Sequence, residues 1–194
     1  MDIKGSVALV TGANRGIGAE WVRQLRERGA AKIYAGARDP LSVSPADGVV
    51  PIALNVTDKA QVEAAASQAA DVNIIINNAA VSYRQPLIGA DLDKIHDEFE
   101  TNVFGPVYVA EAFAPVLEAN GGGAIVNALS AVSWFSFPGM AATALPSPRH
   151  GISPTHSALN SPIRAPSWSA CTPARWPPLW AITSLSTRSI PIRS

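Results

Sequence analysis

The chain has 194 residues, about one domain's worth, with 47% apolar and 15% charged residues and a formal net charge of zero. That much apolar material builds a core and excludes a wholly disordered chain. The balanced charge gives no general attraction to nucleic acid or to an acidic membrane surface. Cys171 is the one cysteine, which excludes an intramolecular disulfide framework and a multi-cysteine zinc site. No uninterrupted apolar stretch reaches the roughly 20 residues that span a bilayer. The first residues enter an apolar run by residue 6 with neither a basic leader nor a cleavage signal. The expectation is a cytoplasmic protein with no bound metal and no membrane or nucleic-acid partner.

The apolar runs alternate in type along the chain. Residues 6–11, from Ser6 to Thr11, form a short run ending in a glycine cluster, the pattern of a buried strand. Ile17, Trp21, Val22 and Leu25 then repeat at helical spacing, and Gly29 stands where a helix-ending glycine would. Lys32 to Ala37 reads as a second strand and Val49 to Leu54 as a third. The alanine-rich Asp58 to Ala70 reads as a helix. Val72 to Ile76, rich in β-branched residues, reads as a fourth strand, buried on both faces. Val103, Val107, Ala110, Ala114 and Leu117 mark one face of a longer helix, which Gly121 to Gly123 end. Ala124 to Leu129 is a fifth strand. This alternation predicts an α/β fold with a parallel sheet covered on both sides.

Composition then breaks. All 15 acidic residues lie within residues 1–142, against ten Lys and Arg, so that segment carries −5. Residues 143–194 contain no Asp, Glu, Lys, Val, Phe or Tyr. They hold five Arg, nine of the 16 prolines, ten serines and three of the five tryptophans. Prolines recurring every few residues interrupt helices and central strands alike. The expected division is a folded α/β domain over 1–142 and a poorly ordered tail over 143–194.

The first strand leads into Thr11-Gly12-Ala13-Asn14-Arg15-Gly16-Ile17-Gly18 and then the first helix. Gly12 permits a sharp strand exit, Gly16 lets backbone approach a pyrophosphate, and Gly18 lets helix and strand pack closely. Backbone N–H groups and the dipole at the helix start attract the anion. Glycines in this strand–helix setting point to a dinucleotide site rather than to an ordinary tight turn.

The spacing is TGxxxGxG, and further ordered motifs accompany it: Asn77-Asn78-Ala79-Ala80 after the fourth strand, Asn102-Val103-Phe104-Gly105, Asn55-Val56-Thr57-Asp58, and Ile125-Val126-Asn127 leading to Ser130. Over residues 3–142 the chain resembles the short-chain dehydrogenases/reductases. Ala80 stands where the family has glycine, and Asn55 where it has aspartate. The resemblance implies a Rossmann-like, doubly wound parallel sheet of order 3-2-1-4-5, truncated before the family's last helices and strands. It implies hydride transfer between a nicotinamide dinucleotide and a small carbonyl or alcohol substrate. It places the cofactor against Gly12, Asn14, Arg15, Gly16, Ile17, Gly18, Arg38, Asn55, Val56, Asn78 and Ala79. It gives Ser130 the role of holding the substrate oxygen and Asn102 that of supporting a proton-relay water. Family members are usually homo-oligomers; here the helix that often forms the contact falls beyond the break, which puts that partner in doubt.

Cofactor preference is read from charge. A 2′-phosphate needs cations, whereas a bare 2′-hydroxyl favours an acid at the end of the second strand. That strand ends Ala37-Arg38-Asp39, and Arg15 adds a second cation from the glycine loop. Arginine's planar fork suits phosphate. NADP(H) is therefore expected over NAD(H), unless Arg38 is a solvated charge paired with Asp39.

The family's catalytic tyrosine and the lysine four residues later are missing. Tyr34, Tyr83 and Tyr108 are followed at that distance by Arg38, Leu87 and Ala112, and the last lysine is Lys94. The resemblance puts the tyrosine at Thr143 and the lysine at Ser147, at the composition break. Codons GCT-ACA-GCG-CTT-CCA-AGN for Ala142 to Ser147, read one base earlier, give Y-S-A-S-K from position 143. By the same rule Cys171 to Trp180 permits V-H-P-G-P-V-A-T-A-M, similar to a family motif flanking the nicotinamide. These readings point to a frameshift. Two functions follow: an oxidoreductase crippled as written, or a non-catalytic NADP-binding remnant. His96, His150 and His156 lack ligand spacing. Trp134, Phe135 and Phe137 either pack in the core or line an apolar substrate pocket.

Overall fold

The computed structural model describes residues 2–85 and 88–130. Thr143, Ser147, Trp134, Phe135, Phe137, Cys171, the domain boundary at 142 and the tail calls lie outside the described residues. Five strands, β1 (Val7–Thr11), β2 (Lys32–Ala37), β3 (Val49–Ala53), β4 (Ile74–Asn77) and β5 (Ala124–Asn127), form one sheet in the order β3-β2-β1-β4-β5. Every pairing is parallel. Ala8 stands beside Ile74 and Val10 beside Ile76, so the fourth run joins the first as expected.

Helix α1 (Gly16–Glu27) covers one face of the sheet, and α2 (Lys59–Gln68) and α4 (Gly105–Ala119) the other. The strands feed both sides. Ala8 and Val10 join Leu25, Ile33 and Ile76 in the core under α1, while Leu9 joins Ile52, Val62, Ile75, Val109 and Phe113 in the core under α2 and α4. A strand buried on both faces has no polar positions to spare, hence the continuous apolar runs.

Two expectations are corrected. Helix α3 (Leu92–Phe99) and a π-helical turn (Glu100–Phe104) precede α4, where only the longer helix was foreseen. The stripe of Val103, Val107, Ala110, Ala114 and Leu117 is not the buried one. Gly105, Val109, Phe113 and Leu117 face the core, and Val107 is 45% exposed. α4 is apolar nearly all round, so composition alone offers several candidate stripes.

At the opposite end of the sheet from the glycine loop, Asp71 takes a hydrogen bond from the Tyr34 hydroxyl at 2.9 Å and an ion pair from Lys32 at 2.6 Å. Burial alone would raise the Asp71 carboxyl, but the bonds from Lys32 and Tyr34 outweigh it and hold it below its ordinary value. A carboxyl lowered by folding stabilises the protein above its unfolded pKa and stops doing so as pH falls through the folded one. Wild type is therefore expected to melt above Asp71→Asn at pH 7. The gap should close as pH falls below the ordinary carboxylate range. Melting curves of both proteins across that range check it, and a gap that persists in acid counts against the pairing.

Candidate functional site

The C-terminal ends of parallel strands leave a crevice where the strand order reverses, here between β1 and β4. The chain leaves β1 through Gly12, at φ +63°, and enters α1 at Gly16, at φ +54°. Both are left-handed conformations that glycine adopts freely. A Cβ on Gly16 would meet nothing within 4 Å, so the loop's backbone is bare towards solvent there. At Gly18 a Cβ would strike the Gly12 carbonyl and lie 2.7 Å from Asn78 Nδ2. Gly18 is the close-packing glycine, as the sequence indicated.

The start of α1 differs from those of α2 and α3. Asp58 caps α2 by accepting from the N–H groups of Ala60 and Gln61 at 3.0 and 3.2 Å, and Asp91 caps α3 by accepting from Asp93 and Lys94. α1 has no side-chain cap and no acid in its first turn. Its positive end is left for an anion.

A buried hydroxyl ties the two loops together. Thr11 Oγ1 accepts from the backbone N–H groups of Asn78 and Ala79, each at 3.0 Å. Asn78 Nδ2 donates back to the carbonyls of Thr11 and Gly12 at 3.0 and 3.2 Å. The glycine loop and the Asn77–Ala80 loop therefore hold one another in place, with the crevice between them.

That crevice is a cleft of about 730 Å³. All eleven residues expected to contact a cofactor line it: Gly12, Asn14, Arg15, Gly16, Ile17, Gly18, Arg38, Asn55, Val56, Asn78 and Ala79. Ile17, half-exposed at the start of α1, is one of them. Neither Arg15 nor Arg38 has an ion-pair partner among the described residues. The pairing of Arg38 with Asp39 does not occur: Asp39 Oδ1 accepts instead from Leu41 N–H at 3.0 Å, capping the short 3-10 turn Pro40–Ser42.

The two residues expected to do chemistry lie apart from this lining. Ser130 follows β5 by three residues, on the same side of the sheet as the cleft. Asn102 sits in the π-helical turn, and both ends of its amide are engaged by Val81: Oδ1 accepts from the N–H at 2.9 Å, and Nδ2 donates to the carbonyl at 2.8 Å. Its side chain sets the course of the Ala80–Val81 segment that lines the cleft. Sequence reasoning missed further contributors, three of them on the segment that precedes α4. Asp97 and Thr101 also line the cleft, and Glu98, 1% exposed, accepts from Tyr83 N–H at 2.5 Å and fixes the loop after Val81. Asp91, an N-cap ahead of Ile95 and Phe99 at helical spacing, was the available signal for the helix that carries Asp97 and Glu98.

A family model described as short chain dehydrogenase matches residues 6–144. The chain belongs to the short-chain dehydrogenase family. It is 33% identical over 147 residues to a Sus scrofa protein named carbonyl reductase (NADPH) 2, a match covering 73% of this chain and 60% of that one. A crystal structure of a short chain dehydrogenase from Burkholderia cenocepacia in complex with NADP is 42% identical. It superposes with a TM-score of 0.72, covering 75% of this chain and 62% of that one. A gluconate 5-dehydrogenase from the same organism, in complex with NADP and tartrate, is 30% identical with a TM-score of 0.69, covering 75% and 61%. The chain thus spans less than two thirds of the length of these short-chain dehydrogenases. Among the described residues no helix is long and apolar enough to cross a membrane, and no group of three metal-ligating side chains converges.

Proposed function

We propose that the cleft holds NADP(H), and that the protein descends from an oxidoreductase acting between NADP(H) and a small carbonyl or alcohol. The carrying observation is the pair Arg15 and Arg38, both lining the cleft and both without an ion-pair partner among the described residues. A 2′-phosphate supplies the anion they lack. The uncapped start of α1 and the bare backbone at Gly16 suit the pyrophosphate. The relatives that carry NADPH or NADP in their names and titles support the same choice.

The bound nicotinamide would supply the hydride donor or acceptor. The chain's own part is to hold and orient it. Gly12, Asn14, Ile17 and Gly18 shape the phosphate loop, Asn55 and Val56 border the adenine end, and Asn78 and Ala79 border the middle of the cleft. Ser130 is the group assigned to the substrate oxygen, and Asn102 steadies the loop between them. Protonation of that oxygen has no donor, because YxxxK appears nowhere in the 194 residues. The frameshift reading restores that pair at positions 143 and 147, and sequencing the gene across codons 138–150 tests it. The second reading, an NADP-binding remnant without turnover, is favoured by the same missing pair.

Binding tests the cofactor assignment directly. Arg38→Ala and Arg15→Ala are each expected to weaken NADPH about tenfold or more, since a charge-assisted hydrogen bond contributes roughly 1.5–3 kcal/mol. NADH binding should change little. Titrations followed by nicotinamide fluorescence measure both, and equal losses for NADPH and NADH would reject the 2′-phosphate assignment.

A further inference from the structure

The two edges of the sheet are built differently. β3 ends one side and, among the described residues, β5 ends the other. In a parallel pair, alternate residues of a strand bond one neighbour, and those between turn their N–H and C=O groups the other way. Along β3, the Gly48 carbonyl accepts from Ile33 N–H at 2.8 Å, and Leu54 N–H donates to the Ala37 carbonyl at 2.9 Å. The even-numbered residues therefore bond β2, and Val49, Pro51 and Ala53 face the open edge. The middle one is a proline with no N–H to offer, and a proline at an outward position deters a further strand.

β5 has no such guard. Ala124 N–H donates to the Asn73 carbonyl at 3.0 Å and Ala128 N–H to that of Asn77 at 2.8 Å. By the same alternation Ile125 and Asn127 present their N–H and C=O groups outward. The strand holds neither a proline nor a charge. Ile125 packs on the core under α2 and α4, and Val126 on the core under α1. Apolar residues on both faces suit a strand inside a sheet rather than one at its rim. Yet Ala124, Ile125 and Val126 are only half-buried, where β4 beside them is buried throughout. Leu129, two residues past the strand, is 42% exposed.

We propose that the edge of β5 is an interaction surface for a second copy of this chain, joined antiparallel. A two-fold axis normal to the sheet at Val126 sets Ile125 opposite Asn127 of the second copy, and Asn127 opposite its Ile125. Each pair then exchanges both backbone hydrogen bonds. A second copy fits because such an edge is complementary to itself and needs no other sequence. The chain's own remainder is the poorer source of a paired strand, broken as it is by Pro146, Pro148, Pro154, Pro162, Pro166, Pro173, Pro177 and Pro178. Pairing uses up the open edge of both copies, and Pro51 guards the other, so association stops at two.

The test is sedimentation of the 194-residue chain over a range of concentrations, with amide hydrogen exchange at both ends of that range. Mass should rise from 20.3 kDa toward twice that value and no further. The amides of Ile125 and Asn127 should exchange about tenfold more slowly in the concentrated sample, while that of Val126, bonded to β4, should not change. Ile125→Pro should weaken the dimer about tenfold or more, since each copy loses an outward N–H. Ile125→Ala keeps that N–H and should weaken it less. Pro51→Val opens the second edge and should yield assemblies larger than two. The exchange measurement on wild type decides even where Ile125→Pro does not fold. A monomer at every concentration overturns the assignment, as does a dimer that leaves the Ile125 and Asn127 amides unchanged. Protection of those amides that is independent of concentration, the result expected of the chain's own tail on this edge, overturns it too.

Discussion

Carbonyl reduction by the chain as written should run at background, and a version read in the alternative frame from codon 143 should recover it. On the proposed reading, the deficit comes from two missing groups. In the family the lysine grips the nicotinamide ribose and, as a nearby cation, lowers the pKa of the tyrosine that hands its proton to the substrate oxygen. The resemblance puts those two groups at positions 143 and 147, where the sequence has Thr143 and Ser147. An aliphatic hydroxyl cannot replace a phenol whose unperturbed pKa is about 10. General acid–base catalysis contributes about 10²–10⁴-fold, and loss of ribose positioning adds to that. The comparison is an NADPH assay on both proteins with a panel of small carbonyls. Equal rates would refute the catalytic assignment and the frameshift together. Activity confined to the restored protein, and lost again when its tyrosine is made phenylalanine, supports both.

Gly18→Val should abolish dinucleotide binding and destabilise the fold by about 3 kcal/mol, the upper end for overpacking a filled site. The added atoms meet backbone, the carbonyl carbon of Gly12 at 2.8 Å, and the Asn78 amide at 2.7 Å. Neither can retreat. The Gly12 carbonyl belongs to the strand exit, and Asn78 Nδ2 is donating to Thr11 and Gly12. Pushing α1 away would open the knot around Thr11 that holds the two loops together. Gly16→Ala is the contrasting variant. Its Cβ meets nothing, so the cost to stability is the left-handed φ alone, about 1 kcal/mol. A binding loss in Gly16→Ala without the large loss of stability separates the ligand-facing glycine from the packing one. Denaturant melts and NADPH titrations of the two variants read this, and similar stabilities would refute the division of labour.

The strands were legible because burial on both faces leaves unbroken apolar runs, as at Ala8–Val10 and Ile74–Ile76. The glycine loop was legible because each glycine meets a separate backbone demand, a left-handed turn at Gly12 and Gly16 and a close approach at Gly18. α3 was not. Leu92, Ile95 and Phe99 recur at helical spacing, but the stripe is short, its buried neighbour is a charge, Glu98, and Leu92 is 65% exposed. The face of α4 was misread because Val107 and Ala114 look as apolar as Val109 and Phe113. The use of Asp39 as a cap was hidden as well, since sequence adjacency to Arg38 suggests a pair that the backbone turn at Pro40–Ser42 pre-empts. Asp97 carried no local pattern that marks it as part of the cleft lining.

The π-helical turn has a further meaning. Thr101, Gly105, Val109, Phe113 and Leu117 are buried at every fourth position. In an α-helix, at about 100° per residue, each such step overshoots by roughly 40°, and the stripe would wander most of the way to the far side. The wider turn at Glu100–Phe104 rotates less per residue and so returns part of that overshoot. It works as a phase correction, letting one rod present Thr101 to a cleft and Phe113 to a sheet. What this segment must conserve is therefore its count of residues more than their identity. A substitution in it disturbs one contact, whereas a single insertion or deletion re-aims everything downstream.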